Sequence, residues 1–237
     1  MGNLLNRLKE DIRFEEGLKS CMNCGVCTAI CPAAEFYNYD PRLMVNLVQS
    51  GDEETLLELL KSDTIWYCGQ CMSCKTRCPR GNVPGLIIMT LRKLSQEEGY
   101  FTESEKGRQQ FAIKRTIGEN ILKYGYCVVP QEVKPHLHPE QGPVWEWVYE
   151  NTDEVMNRFG GNFGGSGPGV LRKIEEETLQ EIDRIFEVTG GHELFDKIEV
   201  YSRNKAKQMN MEFGNGTDNE YFIHTYTQNN NRHSRFD

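Results

Sequence analysis

No apolar stretch in the 237-residue sequence approaches the length of a bilayer span. The longest purely aliphatic run is Leu86-Ile87-Ile88-Met89, against roughly 20 residues for a transmembrane helix. The opening residues, MGNLLNRLKEDIRFEEG, are charged throughout and lack the apolar core of a secretory signal. These absences predict a cytoplasmic chain. Position 6 is Asn rather than Ser or Thr, so Met1-Gly2 does not open a myristoylation signal. Histidine is scarce: His136, His138, His192, His224 and His233 show no HExxH spacing and read as surface or loop residues. No Ser–His–Asp set, catalytic carboxylate pair or nucleotide fingerprint is visible, so the chain is not expected to bind flavin or nicotinamide itself.

A basic stripe is also missing, which disfavours nucleic acid as a partner. The formal net charge is −8, and it is unevenly placed. Residues 1–125 carry 16 basic and 16 acidic groups, whereas residues 126–237 carry 11 and 19. Cysteine follows the opposite division. Eight of nine cysteines lie between positions 21 and 78, and Cys127 stands alone. In a reducing compartment such a cluster points to metal rather than to disulfides.

The first set is Cys21-Met-Asn-Cys24-Gly-Val-Cys27-Thr-Ala-Ile-Cys31-Pro32, and the second is Cys68-Gly-Gln-Cys71-Met-Ser-Cys74-Lys-Thr-Arg-Cys78-Pro79. Both read C-x2-C-x2-C-x3-C-P, the bacterial-ferredoxin run for [4Fe–4S] clusters. Three thiolates at two-residue gaps come from one tight loop and can hold three corners of a cube. In two-cluster ferredoxins the fourth cysteine of each run ligates the other cluster. The expectation is therefore one cluster on Cys21, Cys24, Cys27 and Cys78, and a second on Cys68, Cys71, Cys74 and Cys31. Zinc is the rival metal, since paired C-x2-C units bind it through four thiolates, but it would leave the middle cysteine of each triple unused. Cys127, in the apolar stretch Tyr126-Cys-Val-Val-Pro130, reads as a small buried residue.

Between and after the runs the chain reads as helices. Asp40-Pro41 starts one and Gly51 stops it; Asp52-Glu53-Glu54 opens another with Leu56, Leu57, Leu59 and Leu60 on its face. Pro84 opens a third, running to about Glu98. A fourth covers about 104–123, with Ile113, Ile117 and Ile121 at four-residue spacing. Further helices are predicted over 144–159, 170–189 and 192–211. Residues 160–169, GGNFGGSGPG, match neither phosphate-loop pattern and read as a flexible hinge. Residues 222–227 alternate briefly, which suits an edge strand or an arm on a partner, followed by a polar, asparagine-rich tail.

Two cubane runs joined by a helical pair resemble an α-helical ferredoxin domain. The runs, the DPRLMVNLV helix and the WYCGQCMSCKTRCPRG segment together resemble the C subunit of heterodisulfide reductase, and the similar subunits in heterodisulfide-reductase-like complexes of sulfur oxidisers. The resemblance covers about residues 18–125. It implies a mainly α protein that relays electrons between a flavin subunit and a subunit that performs disulfide or thiol chemistry, without a substrate site of its own. The expected organisation is a two-cluster domain over 1–125 and an acidic, helical C-terminal extension over 126–237 that docks partners. Two alternative functions differ in what they require. The iron–sulfur subunit of a succinate or fumarate enzyme usually carries an additional [2Fe–2S] domain before such runs. A cluster-based redox sensor usually carries a DNA-binding element. Lys75, Arg77 and Arg80, in or beside the second run, are placed to favour the reduced form of a bound cluster.

Overall fold

The computed structural model describes residues 3–227. The chain forms two compact units, residues 3–110 and 111–227. It is mainly α-helical, and among the described residues no strand forms.

The first unit contains α1 (Leu4–Lys9), α2 (Ile12–Gly17), α3 (Val26–Ala29), α4 (Pro32–Phe36), α5 (Pro41–Ser50), α6 (Glu53–Lys61) and α7 (Pro84–Glu97), and α8 (Glu105–Ile113) leaves it. The helix starts follow the sequence signals. Asp40 caps α5 by accepting from the backbone N–H groups of Arg42 and Leu43, with Pro41 at the first position, and Gly51 ends the helix at φ 70°. Asp52 caps α6 by accepting from the Thr55 N–H. Helices α1 and α2 have no counterpart in the sequence reading, because each has only six residues, too few to show a helical repeat. Asn3 and Asp11 nevertheless cap them.

These helices share one core. Leu8 of α1, Met44 and Val48 of α5, Leu56 and Leu60 of α6, and Ile87, Ile88, Leu91 and Leu94 of α7 are all buried together. Each such side chain contributes on the order of 1.5–3 kcal/mol of burial. α2 approaches α7 so closely that a Cβ at Gly17 would fall 2.7 Å from Ile87 Cδ1. The Ser95 hydroxyl donates to the Leu60 carbonyl and ties α7 to α6. The α5–α6 pair and α7 thus form a block, and the two cysteine segments lie against it. Between those segments, α3 packs on the short turn Lys75–Arg77.

The second unit has a different kind of core. α8 runs into a π-helical turn over Lys114–Gly118 and then α9 (Glu119–Tyr124). A π turn adds a residue to the repeat, so the four-residue spacing of Ile113, Ile117 and Ile121 does not make a buried stripe. Ile113 and Ile117 are exposed, and Phe111, Ala112 and Arg115 are buried instead. Phe111 and Arg115 belong to this core, and the second unit begins at Phe111, inside α8. The Arg115 guanidinium lies over the rings of Phe111 (4.3 Å) and Phe213 (4.9 Å). It makes a two-pronged bond to Glu199 at 2.9 and 2.8 Å, and donates to the carbonyls of Gly214 and Gly216. Lys114 adds a second cation on Glu199 at 2.9 Å.

The remaining helices are α10 (Trp145–Glu150), α11 (Thr152–Arg158), α12 (Glu176–Val188), α13 (Gly191–Gln208) and α14 (Glu220–Thr227). Three sequence expectations change. α12 begins at Glu176 rather than near Val170. The 160–169 stretch closes on itself, with Asn162 N donating to the Val170 carbonyl and Asn162 Nδ2 to that of Ser166. Residues 222–227 belong to a helix, not an edge strand. Tyr221 and Phe222 are fully buried, and both rings lie near Phe111, at 5.4 and 6.2 Å. Period-2 alternation over six residues cannot distinguish a strand from a short helix whose buried ring pair meets other aromatics. The asparagine-rich residues 228–237 lie outside the described residues.

Burial pushes the Glu199 carboxyl up, but Arg115 and Lys114 outweigh it and hold the group below its ordinary 4.5. A lowered folded-state pKa stabilises the fold above the unfolded value, and that contribution is lost as pH falls through the folded value. Glu199→Gln should therefore destabilise the second unit at pH 7 by about 3 kcal/mol, the low end for breaking a buried pair, since Glu199 keeps some solvent contact. In an acid titration followed by circular dichroism, the parent chain should lose this component below about pH 4.5. A variant indistinguishable from the parent at pH 7 would remove the pair from this role.

Candidate metal centre

Each cysteine run folds as a loop whose backbone turns through left-handed conformations. In the first, Asn23 (φ 60°) and Gly25 (φ 81°) take these positions; in the second, Gln70 (φ 53°) and Met72 (φ 59°) occupy the corresponding places. Non-glycine residues adopt this region at a cost, and here the turn aims backbone N–H groups at sulfur. Asn23 N lies 3.4 Å from Cys21 Sγ, and Gln70 N lies 3.4 Å from Cys68 Sγ.

The loops line two small pockets, partly open to solvent. Cys21, Cys24 and Cys27 line the first together with Cys78 of the other run. Cys68, Cys71 and Cys74 line the second together with Cys31. Each cavity therefore draws three cysteines from one run and one from the other. Cys127 lines neither. It is exposed, as is neighbouring Val128, contrary to the burial expected from its apolar setting. That stretch is an irregular lead into the turn at Pro130, so its valines do not share one face: Val129 is buried where Val128 is not.

Asn82 holds the two runs in register. It is 2% exposed. Its side-chain oxygen accepts from the N–H groups of Lys19 and Ser20, just before Cys21, at 2.7 and 3.2 Å. Its amide nitrogen donates to the Ser20 carbonyl, and its backbone N–H lies 3.3 Å from Cys78 Sγ. Gln49 of α5 fixes the other side of Cys21, accepting from its N–H at 2.7 Å and donating to its carbonyl at 3.3 Å. Around the second cavity, Arg92 of α7 donates to the carbonyls of Ile65 and Cys68, both at 2.7 Å. Sequence patterns identify none of these three, because an isolated Asn, Gln or Arg outside a motif carries no signal. Lys75 turns to Glu16 at 2.8 Å, and exposed Arg80 lines the first cavity rather than the second.

The donor set suits a group larger than one ion. Among the described residues, no three Cys, His, Asp or Glu side chains converge closely enough to hold a single metal ion. Four cysteines instead surround each cavity, as the corners of a cube require. Two further features fit an anionic sulfur-ligated group in the second cavity. The Tyr39 hydroxyl is buried with no nitrogen or oxygen partner. A Cβ at Gly85, at the start of α7, would fall 2.9 Å from Met72 Sδ and 3.8 Å from Cys74 Sγ. Burial pushes the free Cys27 thiol up to about 11 and also raises Cys31 and Cys74, whereas the Ser73 hydroxyl lowers Cys71. Metal uptake at such thiols displaces protons and is therefore pH-dependent.

A family described as the 4Fe-4S dicluster domain matches residues 17–82. The chain is 32% identical over 192 residues to the C subunit of the ferredoxin:CoB-CoM heterodisulfide reductase of Methanosarcina acetivorans, covering 80% of this chain and 70% of that protein. It is 30% identical over 141 residues to the iron-sulfur C subunit of the CoB–CoM heterodisulfide reductase of Methanopyrus kandleri, covering 56% and 72%. A second such C subunit, from Methanocaldococcus jannaschii, is 35% identical over 153 residues, covering 62% and 74%.

Asn82→Ala removes several buried hydrogen bonds and leaves the amides of Lys19 and Ser20 without their acceptor. Urea denaturation should register a loss of about 1–3 kcal/mol in the first unit. Asn46→Ala deletes only an exposed bond to Asn23 and should change stability by less than about 0.5 kcal/mol. Equal effects of the two would discount the clamp.

Proposed function

The chain belongs to the family of heterodisulfide reductase C subunits, and on that premise we propose that it carries electrons between a flavin-bearing subunit and a subunit that performs disulfide or thiol chemistry. The chain is an iron–sulfur, electron-transfer subunit of the oxidoreductase type. Relatives are named for complexes acting on the CoB–CoM heterodisulfide with ferredoxin, or with H2 or formate. For this chain we infer a low-potential donor on one side and a disulfide-handling partner on the other, in the cytoplasm. No helix among the described residues is long and apolar enough to cross a membrane.

The observation that carries this reading is the pairing of sulfur sets across the two runs. In it, Cys21, Cys24, Cys27 and Cys78 hold one [4Fe–4S] cluster, and Cys68, Cys71, Cys74 and Cys31 hold the other. Bound there, each cube supplies a one-electron site, with a potential open to tuning by hydrogen bonds and charge. The protein's own part is to hold two such sites on one rigid block. The α5–α6 pair fixes the loops, Asn82 and Gln49 lock Cys21 and Cys78, and backbone N–H groups stabilise the thiolates. Eight of the nine thiols are committed in this scheme. Cys127, though exposed, has no second cysteine in its unit with which to form a disulfide. Reduction of a disulfide therefore falls to a partner.

Anaerobically reconstituted chain should contain about eight iron and eight acid-labile sulfide atoms. Four iron, or zinc as the dominant metal, contradicts the two-cluster assignment. Tagged chain isolated from its source should bring with it a flavoprotein and a cysteine-rich subunit. Recovery with neither contradicts the relay.

A further inference from the structure

Arg92 is a half-buried cation without a carboxylate. Its Nε and Nη2 donate to the Ile65 and Cys68 carbonyls, its plane lies 5.4 Å from the Trp66 ring centre, and no Asp or Glu pairs with it among the described residues. Burial works against this charge. A buried charge ordinarily needs a counter-ion. Tyr39 repeats the pattern: it is 4% exposed, it lines the second cavity beside Cys68 and Cys31, and its hydroxyl lacks a nitrogen or oxygen acceptor. Arg92 is thus held by carbonyls and a ring alone, and the Tyr39 hydroxyl by no hydrogen bond.

We propose that Arg92 and Tyr39 form a potential-setting pair that makes the Cys31/Cys68/Cys71/Cys74 site the electron sink of the two. The inference rests on the two-cluster reading above. Reduction by one electron adds one negative charge to a cluster already anionic through its four thiolates, so a fixed half-buried cation favours the reduced form. Hydrogen bonding to sulfur does not separate the sites. The first cavity has Asn23 N on Cys21, and Asn82 N and Nδ2 on Cys78; the second has Gln70 N on Cys68 and Ser73 Oγ at Cys71, with the unpartnered Tyr39 hydroxyl in the same lining. Charge decides. Of the first cavity's cations, Arg42 is neutralised by Asp40 at 2.7 Å, and Arg80 is exposed and screened by water. Arg92 is neither neutralised nor exposed. With clusters bound at both sites, an electron passing between them would leave the first oxidised by one electron and the second reduced by one. Arg92 and Tyr39 are positioning residues, acting through Cys68.

The test is an anaerobic redox titration of the reconstituted full chain, read by electron paramagnetic resonance, with iron content measured on the same samples. Two one-electron waves are expected. Cys71→Ser, which places an oxygen ligand on the second site, should move the wave of higher potential. Arg92→Met should lower that same wave by at least 59 mV, a tenfold change in the reduced-to-oxidised ratio, and leave the other in place. Arg92→Lys should restore most of the shift. Tyr39→Phe, which keeps the ring and removes the donor, should shift the wave in the same direction by less, and it carries the test if Arg92→Met fails to hold iron. Movement of the lower wave by Cys71→Ser overturns the proposal, as does an Arg92→Met shift in both waves or in neither, with the two-cluster reading intact. Fewer than eight iron with a single wave overturns both.

Discussion

Each sulfur set is divided between two segments of chain, and this sharing is the constraint on which the first unit depends. Three thiols of a set come from one loop and are local. The fourth must arrive from the other loop, across the whole α5–α6 pair. The unit therefore cannot place either set without placing both, and its architecture follows from that need. A helical pair with a common core against α7 gives a rigid block. Asn82 then spans the join, with its oxygen on the residues before Cys21 and its nitrogens toward Cys78. An amide suits this place because it offers acceptor and donors at once, so one buried side chain satisfies polar groups of both segments.

The two units solve the problem of buried charge in different ways. In the second, Arg115 and Glu199 neutralise each other inside an aromatic core, and Lys114 adds a further cation to the same carboxylate. In the first, Arg92 has carbonyls and a ring but no carboxylate. The difference agrees with what each unit has to hold. A unit closed by its own side chains balances its charge internally. A unit built to receive an anionic inorganic group leaves a cation for it.

Much of this was legible beforehand, for identifiable reasons. The cysteine spacing is rigid chemistry: thiols two residues apart can share a cube, and that repeats without deviation in both runs. Asp40-Pro41, Gly51, Asp52 and Pro84 mark helix ends through local hydrogen bonding and fixed backbone angles, so they read correctly without knowledge of the fold. What failed depended on tertiary context. The π turn at Lys114–Gly118 rotates the isoleucine face out of the core. The aromatic cluster of Phe111, Phe213 and Tyr221 draws residues 220–227 into a helix that their alternation disguised. Cys127 is exposed despite its valine neighbours because the backbone there is irregular. Tyr39, Asn82 and Arg92 were invisible for another reason: their roles arise from positions distant in sequence.

Whether each cluster is held across the two runs is tested most directly by a crystal structure of the anaerobically reconstituted chain with iron located by anomalous scattering. Two cubes are expected, one bonded to Cys21, Cys24, Cys27 and Cys78 and the other to Cys68, Cys71, Cys74 and Cys31. A cube bonded to all four cysteines of a single run, or a lone ion within either triple, would contradict it.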